Sequence, residues 1–141
     1  MKKILNNLKI RNPETGKFES VPGVVGEYPG IKYNEEEVLT GDTWIDGKPI
    51  YRKAIEYTGS GAGTPNIATI NNLSKIIKIH GSVLWSGDNC YRSVPFASYA
   101  NLNWSFSPVV TSNGTVQLFV GSLFTGSWTA EIICEYTKTT D

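Results

Sequence analysis

The sequence predicts an all-β protein, an antiparallel β-sandwich of jelly-roll type carried behind an extended N-terminal arm. Three observations point there. Short runs rich in Val, Ile, Thr and aromatic residues recur about every 12 residues from residue 74 onward. Asn, Asp, Ser and Gly cluster between those runs, where turns are needed. Charge is distributed unevenly: residues 1–58 carry nine basic and nine acidic side chains, residues 59–141 only four of each. The second part is therefore far below the roughly 25% charged residues of an ordinary domain. Such a surface suits burial against copies of itself, or contact with neutral ligands such as sugars.

Along the chain, residues 1–33 form the arm and linker, and 34–141 the sandwich with its entry hairpin. In "LKIRNPETGKFESV", Ile10 and Phe18 lie in arms around the turn sequence Asn12–Gly16. "PGVVGEYPGIKY", residues 22–33, reads as an extended linker. "YNEEEVLTG" is expected to be one or two helical turns, with Asn34 as cap, Glu35–Glu37 at the positive end and Gly41 as terminator. In "TWIDGKPIYRKAIEYTG", Asp46-Gly47 is the expected two-residue turn. Pro49 cannot donate to a ladder, so its strand is expected at an edge. Beyond it Arg52, Ala54 and Glu56 share one face, and Tyr51, Lys53, Ile55 and Tyr57 the other. "GSGAGTPN" is a break. It lacks the Gly-Lys-Ser/Thr ending and the following helix of a phosphate loop. Then come five expected strands: "SKIIKIHGSVLWS", "CYRSVPFAS", "LNWSFSPVV", "TVQLFVGSLF" and "WTAEIICEYTK", with Ser112-Asn113-Gly114-Thr115 the strongest hairpin signal.

The chemistry on offer is sparse. Net charge is zero, which argues against a nucleic-acid partner held by phosphate neutralisation. No apolar run approaches the ~20 residues of a membrane span, and the N-terminal residues do not read as a secretory signal. Synthesis in a cytoplasm is expected, and with it free thiols at Cys90 and Cys134, both placed in strands and expected buried. No cofactor or metal set is visible. His80 has no Cys or His partner in sequence and reads as a satisfied core or edge residue. Glu131 and Glu135 share a strand face but stand roughly 13 Å apart, too far for a retaining glycosidase pair. No enzyme is expected. Aromatic residues beside turns are the remaining candidates for a ligand: Trp85, Asp88, Asn89, Tyr91, Tyr99 and Trp128, where a ring stacks on a sugar face and an amide or carboxylate binds hydroxyls.

One segment carries a resemblance. "EEEVLTGDTWIDGKPIYRKAIEYTG" has Glu35, Glu36, Gly41, Thr43, Trp44, Asp46, Gly47, Lys48, Pro49, Ile50, Tyr51, Arg52 and Lys53 in an order preceded by Tyr33, and the sequence closes with "CEYTKTTD". This resembles structural proteins of bacteriophage and prophage virions, of the tail-fibre, baseplate and head-fibre or decoration types. There such a segment precedes a C-terminal β-domain, and "LKIRNPETGKFESVPGVVG" is similar to their virion-attachment end. The resemblance implies a virion location after assembly in a bacterial cytoplasm. It also implies a homo-oligomer, expected to be a trimer, an arm bound to other virion proteins, and a host surface carbohydrate as the ligand class. Only about ten residues separate the arm from the motif, so no long shaft is expected. In this reading Trp44, Ile50 and Tyr51 pack on the β-domain or a neighbouring copy. Lys48, Arg52 and Lys53 stay hydrated or pair with Glu35–Glu37.

Overall fold

A computed structural model of the chain describes residues 9–11, 18–20, 33–97 and 103–141. These form β1 (Lys9–Arg11), β2 (Phe18–Ser20), β3 (Val38–Thr43), β4 (Pro49–Ser60), β5 (Asn66–Thr69) and β6 (Leu73–Trp85). Next come β7 (Cys90–Val94), β8 (Phe96–Ala97), β9 (Ser105–Val110), β10 (Thr115–Val120) and β11 (Ser127–Lys138). The chain divides into two units between Lys32 and Tyr33. In the first, β1 and β2 pair antiparallel with Arg11 opposite Phe18, the expected hairpin. Its turn, Asn12–Gly16, lies outside the described residues, as does most of the linker expected over 22–33.

The second unit is an antiparallel β-sandwich. One sheet has the order β3-β4-β11-β6-β7, the other β5-β10-β9-β8. The reason is visible in β11. Trp128, Ala130, Ile132, Cys134 and Tyr136 are buried on one face, while Thr129, Glu131, Ile133 and Glu135 alternate with them. In β10 Val116, Leu118 and Val120 face inward. The two inner faces meet in a core completed by Ile55, Ile70, Val83, Val94, Phe106 and Phe124. Strand β11 runs between two other long strands, with Ile132 opposite both Ile55 of β4 and Gly81 of β6.

Two hairpins close with the same geometry. Trp44 N–H donates to Lys48 O and Gly47 N–H to Trp44 O, both at 2.8 Å. Thr111 N–H donates to Thr115 O at 3.0 Å and Gly114 N–H to Thr111 O at 2.9 Å. In each, an Asx side chain two residues before the last accepts that residue's N–H: Asp46 from Lys48 at 3.1 Å, Asn113 from Thr115 at 3.3 Å. Each is a β-turn followed by a glycine at positive φ, 84° at Gly47 and 86° at Gly114. The expected two-residue turn at Asp46-Gly47 is thus a three-residue loop, Ile45-Asp46-Gly47. That shift places Ile45 at the tip, 89% exposed.

Three further expectations are corrected, and one strand is found that the sequence did not announce. Residues 34–41 are not helical: Val38–Thr43 is β3, because pairing of Val38 and Leu39 with Arg52 and Tyr51 of β4 outweighs an isolated turn of helix. Strand β4 is not an edge strand, since β3 covers it; Pro49 is tolerated as its first residue. Strand β5 comes from only four residues, "NIAT", and exists through its pairing with β10. The single strand expected over "CYRSVPFAS" is two. The chain leaves one sheet at Val94, passes Pro95 and enters the other at Phe96.

Candidate functional site

The Trp44–Lys53 segment folds back on the C-terminal residues. Lys48 Nζ donates to Lys138 O at 2.7 Å and Tyr51 OH to Asp141 Oδ1 at 3.1 Å. Arg52 donates twice to Glu135 Oε1, from Nε at 2.9 Å and from a terminal nitrogen at 2.5 Å. Glu37 takes the Tyr136 hydroxyl on one oxygen at 2.5 Å and pairs with Lys138 on the other. Tyr51 and Tyr136 stack at 6.1 Å, and the Lys138 ammonium lies 4.9 Å from the Tyr51 ring centroid. The register explains the placement: Tyr51 opposes Tyr136 and Arg52 opposes Glu135 across the β4–β11 ladder. Of the two alternatives for Lys48, Arg52 and Lys53, staying hydrated or pairing with Glu35–Glu37, the pairing is not seen among the described residues. Arg52 takes Glu135, and Glu37 takes Lys138.

Ile50 is buried and Tyr51 packs against the core. Trp44 is half-buried. Its Nε1 is enclosed and, among the described residues, finds no acceptor. Because part of the ring stays wet, Trp44→Ala is expected to cost about 2 kcal/mol, less than the about 3–5 kcal/mol of a fully buried Trp. A thermal melt checks this, and an unchanged melting temperature would assign the ring to a ligand instead.

Of the residues expected to face a sugar, Trp85, Asp88, Asn89 and Tyr91 share the β6–β7 hairpin, while Trp128 lies in β11. Trp128 is buried, its Nε1 donates to Gly61 O at 3.0 Å, and its ring meets Tyr57 and Phe106. It is a core residue, because its position in β11 faces inward. Trp85 is half-buried. It donates to Thr125 O at 2.6 Å and meets Trp104 and Phe124 edge-on, with Gly87 against its ring. Asp88 clamps Arg92, whose guanidinium lies 5.5, 5.7 and 5.9 Å from the centroids of Trp85, Phe124 and Trp104. The Asp88 carboxyl is held below its ordinary range by Arg92. Asn89, at φ 55°, closes the turn by donating its N–H to Trp85 O. Tyr91 is 70% exposed. Tyr99 lies outside the described residues. Trp85, Asp88 and Arg92 thus form the lid over one end of the core, and of the described members of the set only Asn89 and Tyr91 remain open.

The thiols separate. Cys134 is buried in β11, whereas Cys90 is exposed at the start of β7; both are free. The expected burial of Cys90 fails because it borders a turn at a sheet edge. His80 faces away from the core in β6, with Nδ1 enclosed and unpartnered among the described residues. It is not the satisfied histidine expected. Among those residues no group of three metal-ligating side chains occurs.

Two buried groups set the alkaline limit. Burial pushes the Cys134 thiol up to about 11 from 9.0, against a smaller opposite pull from Lys53. Burial, and then the hydrogen bond to Glu37, raise the Tyr136 phenol from 10.0. Each keeps its proton longer in the folded chain than in the unfolded one. The Cys134 contribution is therefore complete below about pH 9 and is lost as pH rises to about 11, and that of Tyr136 begins to be lost only above about pH 10, at about 1.4 kcal/mol per pH unit for each proton. Urea unfolding between pH 8 and 11 should show this fall, with Cys134→Ala flattening its first part. An identical slope in the variant would contradict it.

No known protein family, curated protein or solved structure matches the chain significantly.

Proposed function

We propose that the chain is a structural component of a bacteriophage or prophage virion, an oligomeric fibre or decoration protein of capsid or tail. One observation carries the reading. The two stretches that resemble such proteins, around Trp44–Lys53 and at the C-terminal "CEYTKTTD", are joined in space by Lys48, Tyr51 and Arg52 on one side and Glu135, Lys138 and Asp141 on the other. Residues of the resembling segments are here spent on a fixed clip between strands. That supports assembly as their purpose. Glu135 is committed to Arg52 within this clip.

A second reading, a baseplate or adaptor protein without any ligand, is favoured by the lid. Trp85, Asp88 and Trp128 are occupied internally, which leaves little of the expected sugar platform.

The test is mass spectrometry of density-purified particles, with immunogold labelling to place the chain on head or tail. The chain should be present in many copies per particle. Presence in the cell lysate together with absence from particles overturns the proposal.

A further inference from the structure

Charge divides the sandwich by layer. Residues 57–74 and 93–130 contain no Asp, Glu, Lys or Arg, and all four strands of the β5-β10-β9-β8 sheet lie within those two stretches. That sheet has no charged side chain of its own. The other sheet carries Arg52–Glu135 on its outer face, with Glu56 opposite Glu131. The residues alternating outward from the core on β9 and β10 are Ser107, Val109, Thr115, Gln117 and Phe119. Val109 and Phe119 are 45% and 44% exposed, and they are diagonal neighbours, each beside the other's cross-strand partner. The most polar group there is already paired: Gln117 Nε2 donates to Asn66 Oδ1 at 2.8 Å. Glu35, Lys53 and Glu56 stand at the rim beside β5.

We infer that the outer face of this four-stranded sheet is the surface on which copies of the chain associate, with a second copy as its occupant. The charge pattern selects that occupant. In a symmetric contact a residue near the axis meets its own copy, so any charge there faces a like charge. A face without charge avoids that repulsion, whereas a foreign partner is ordinarily steered by complementary charge, which this face does not offer. The internal Gln117–Asn66 bond lowers the cost of drying the face, and Val109 and Phe119 supply the apolar area. The inference rests on the oligomeric part of the proposed function. It is tested in solution, where the result does not depend on whether the chain is found in particles.

Four strands at ~4.8 Å and six residues at ~3.4 Å bound the face at roughly 400 Å² in plane, below the ~800 Å² per partner of a standard interface. Association is therefore expected in the micromolar range, so light scattering should be read from about 10 to about 300 µM. The mass of the wild-type chain should rise to a multiple of 15.5 kDa. Phe119→Glu and Phe119→Lys should each remain monomeric with an unchanged melt, and mixing the two should restore the higher mass. Glu131→Lys, on the opposite sheet, should leave the mass unchanged. If the Phe119 variants melt early, Val109→Glu and Gln117→Glu test the same face. A monomeric wild type, a Phe119→Glu protein that keeps the higher mass, or dissociation by Glu131→Lys overturns the inference. So does a monomer whose binding to a neutral glycan is abolished by Phe119→Glu, since the occupant is then a sugar.

Discussion

Phe124→Ala should remove about 4 kcal/mol of stability, the upper range for a buried aromatic truncated to alanine. Phe124 is fully buried in the loop between β10 and β11. Its ring centroid lies 4.2 Å from that of Phe106, 5.0 Å from Trp104, 5.2 Å from Trp85 and 6.5 Å from Phe96. Trp85 sits on the five-stranded sheet, and Phe96 and Phe106 on the other, so one side chain ties both layers at the end of the sandwich. The Arg92 guanidinium rests 5.7 Å above it. Deleting the ring leaves a cavity that these rigid neighbours cannot fill, and it removes the edge-to-face contacts as well. At about 4–8 °C per kcal/mol for a domain near this size, the melt should fall by some 15–30 °C. Phe124→Leu, which keeps most of the volume, should cost about 1.5 kcal/mol. Equal losses in the two variants would show that the ring contacts, and not the filled volume, matter.

Gly114→Ala should cost about 3 kcal/mol or more, and Gly47→Ala about 1 kcal/mol, although the two glycines occupy the same place in the same kind of turn. Both have positive φ, so both changes incur the left-handed penalty. They differ in surroundings. A Cβ at Gly47 would meet nothing within 4 Å, whereas one at Gly114 would lie 2.0 Å from the Ile70 carbonyl oxygen. Ile70 is itself buried, and its N–H donates to Gly114 O at 2.8 Å, so backbone cannot move aside without opening the link to the β5 end. Chemical denaturation of the two variants side by side measures the difference directly. Equal losses would mean that the Ile70 segment yields freely.

Residue alternation made the interior strands readable. In β11 the inward set from Trp128 to Tyr136 keeps period two throughout, and β10 does the same with Val116, Leu118 and Val120. The Asn113-Gly114 and Asp46-Gly47 pairs marked both hairpins, since glycine supplies positive φ wherever the loop places it. The loop length was not legible, because it depends on which residues pair beyond the turn, Thr43 with Pro49 in one case. Of the clip, Tyr51 and Ile50 could be read as packing residues, but the partners of Arg52 and Lys48 could not. Glu135 and Lys138 are some ninety residues distant in sequence and become neighbours only through the β4–β11 register.

The all-β class, the long strands and the uneven charge follow from the sequence alone, because alternation, turn chemistry and charge are local properties of the chain. Tertiary structure decided the rest. It turned "EEEVLTG" from a capped helical turn into an approach to β3, since a strand partner offers hydrogen bonds that one turn of helix cannot match. It made a strand of "NIAT" and sent the chain from one sheet to the other at Pro95. It drew Trp85 and Trp128 into the core and left Tyr91 outside. It also collected the four uncharged strands, β5, β8, β9 and β10, into one layer, so that a charge bias spread along the chain became a single uncharged face. Which face of a strand is buried, and against what, depends on pairings between residues far apart in sequence, and those exist only once the sheets have formed.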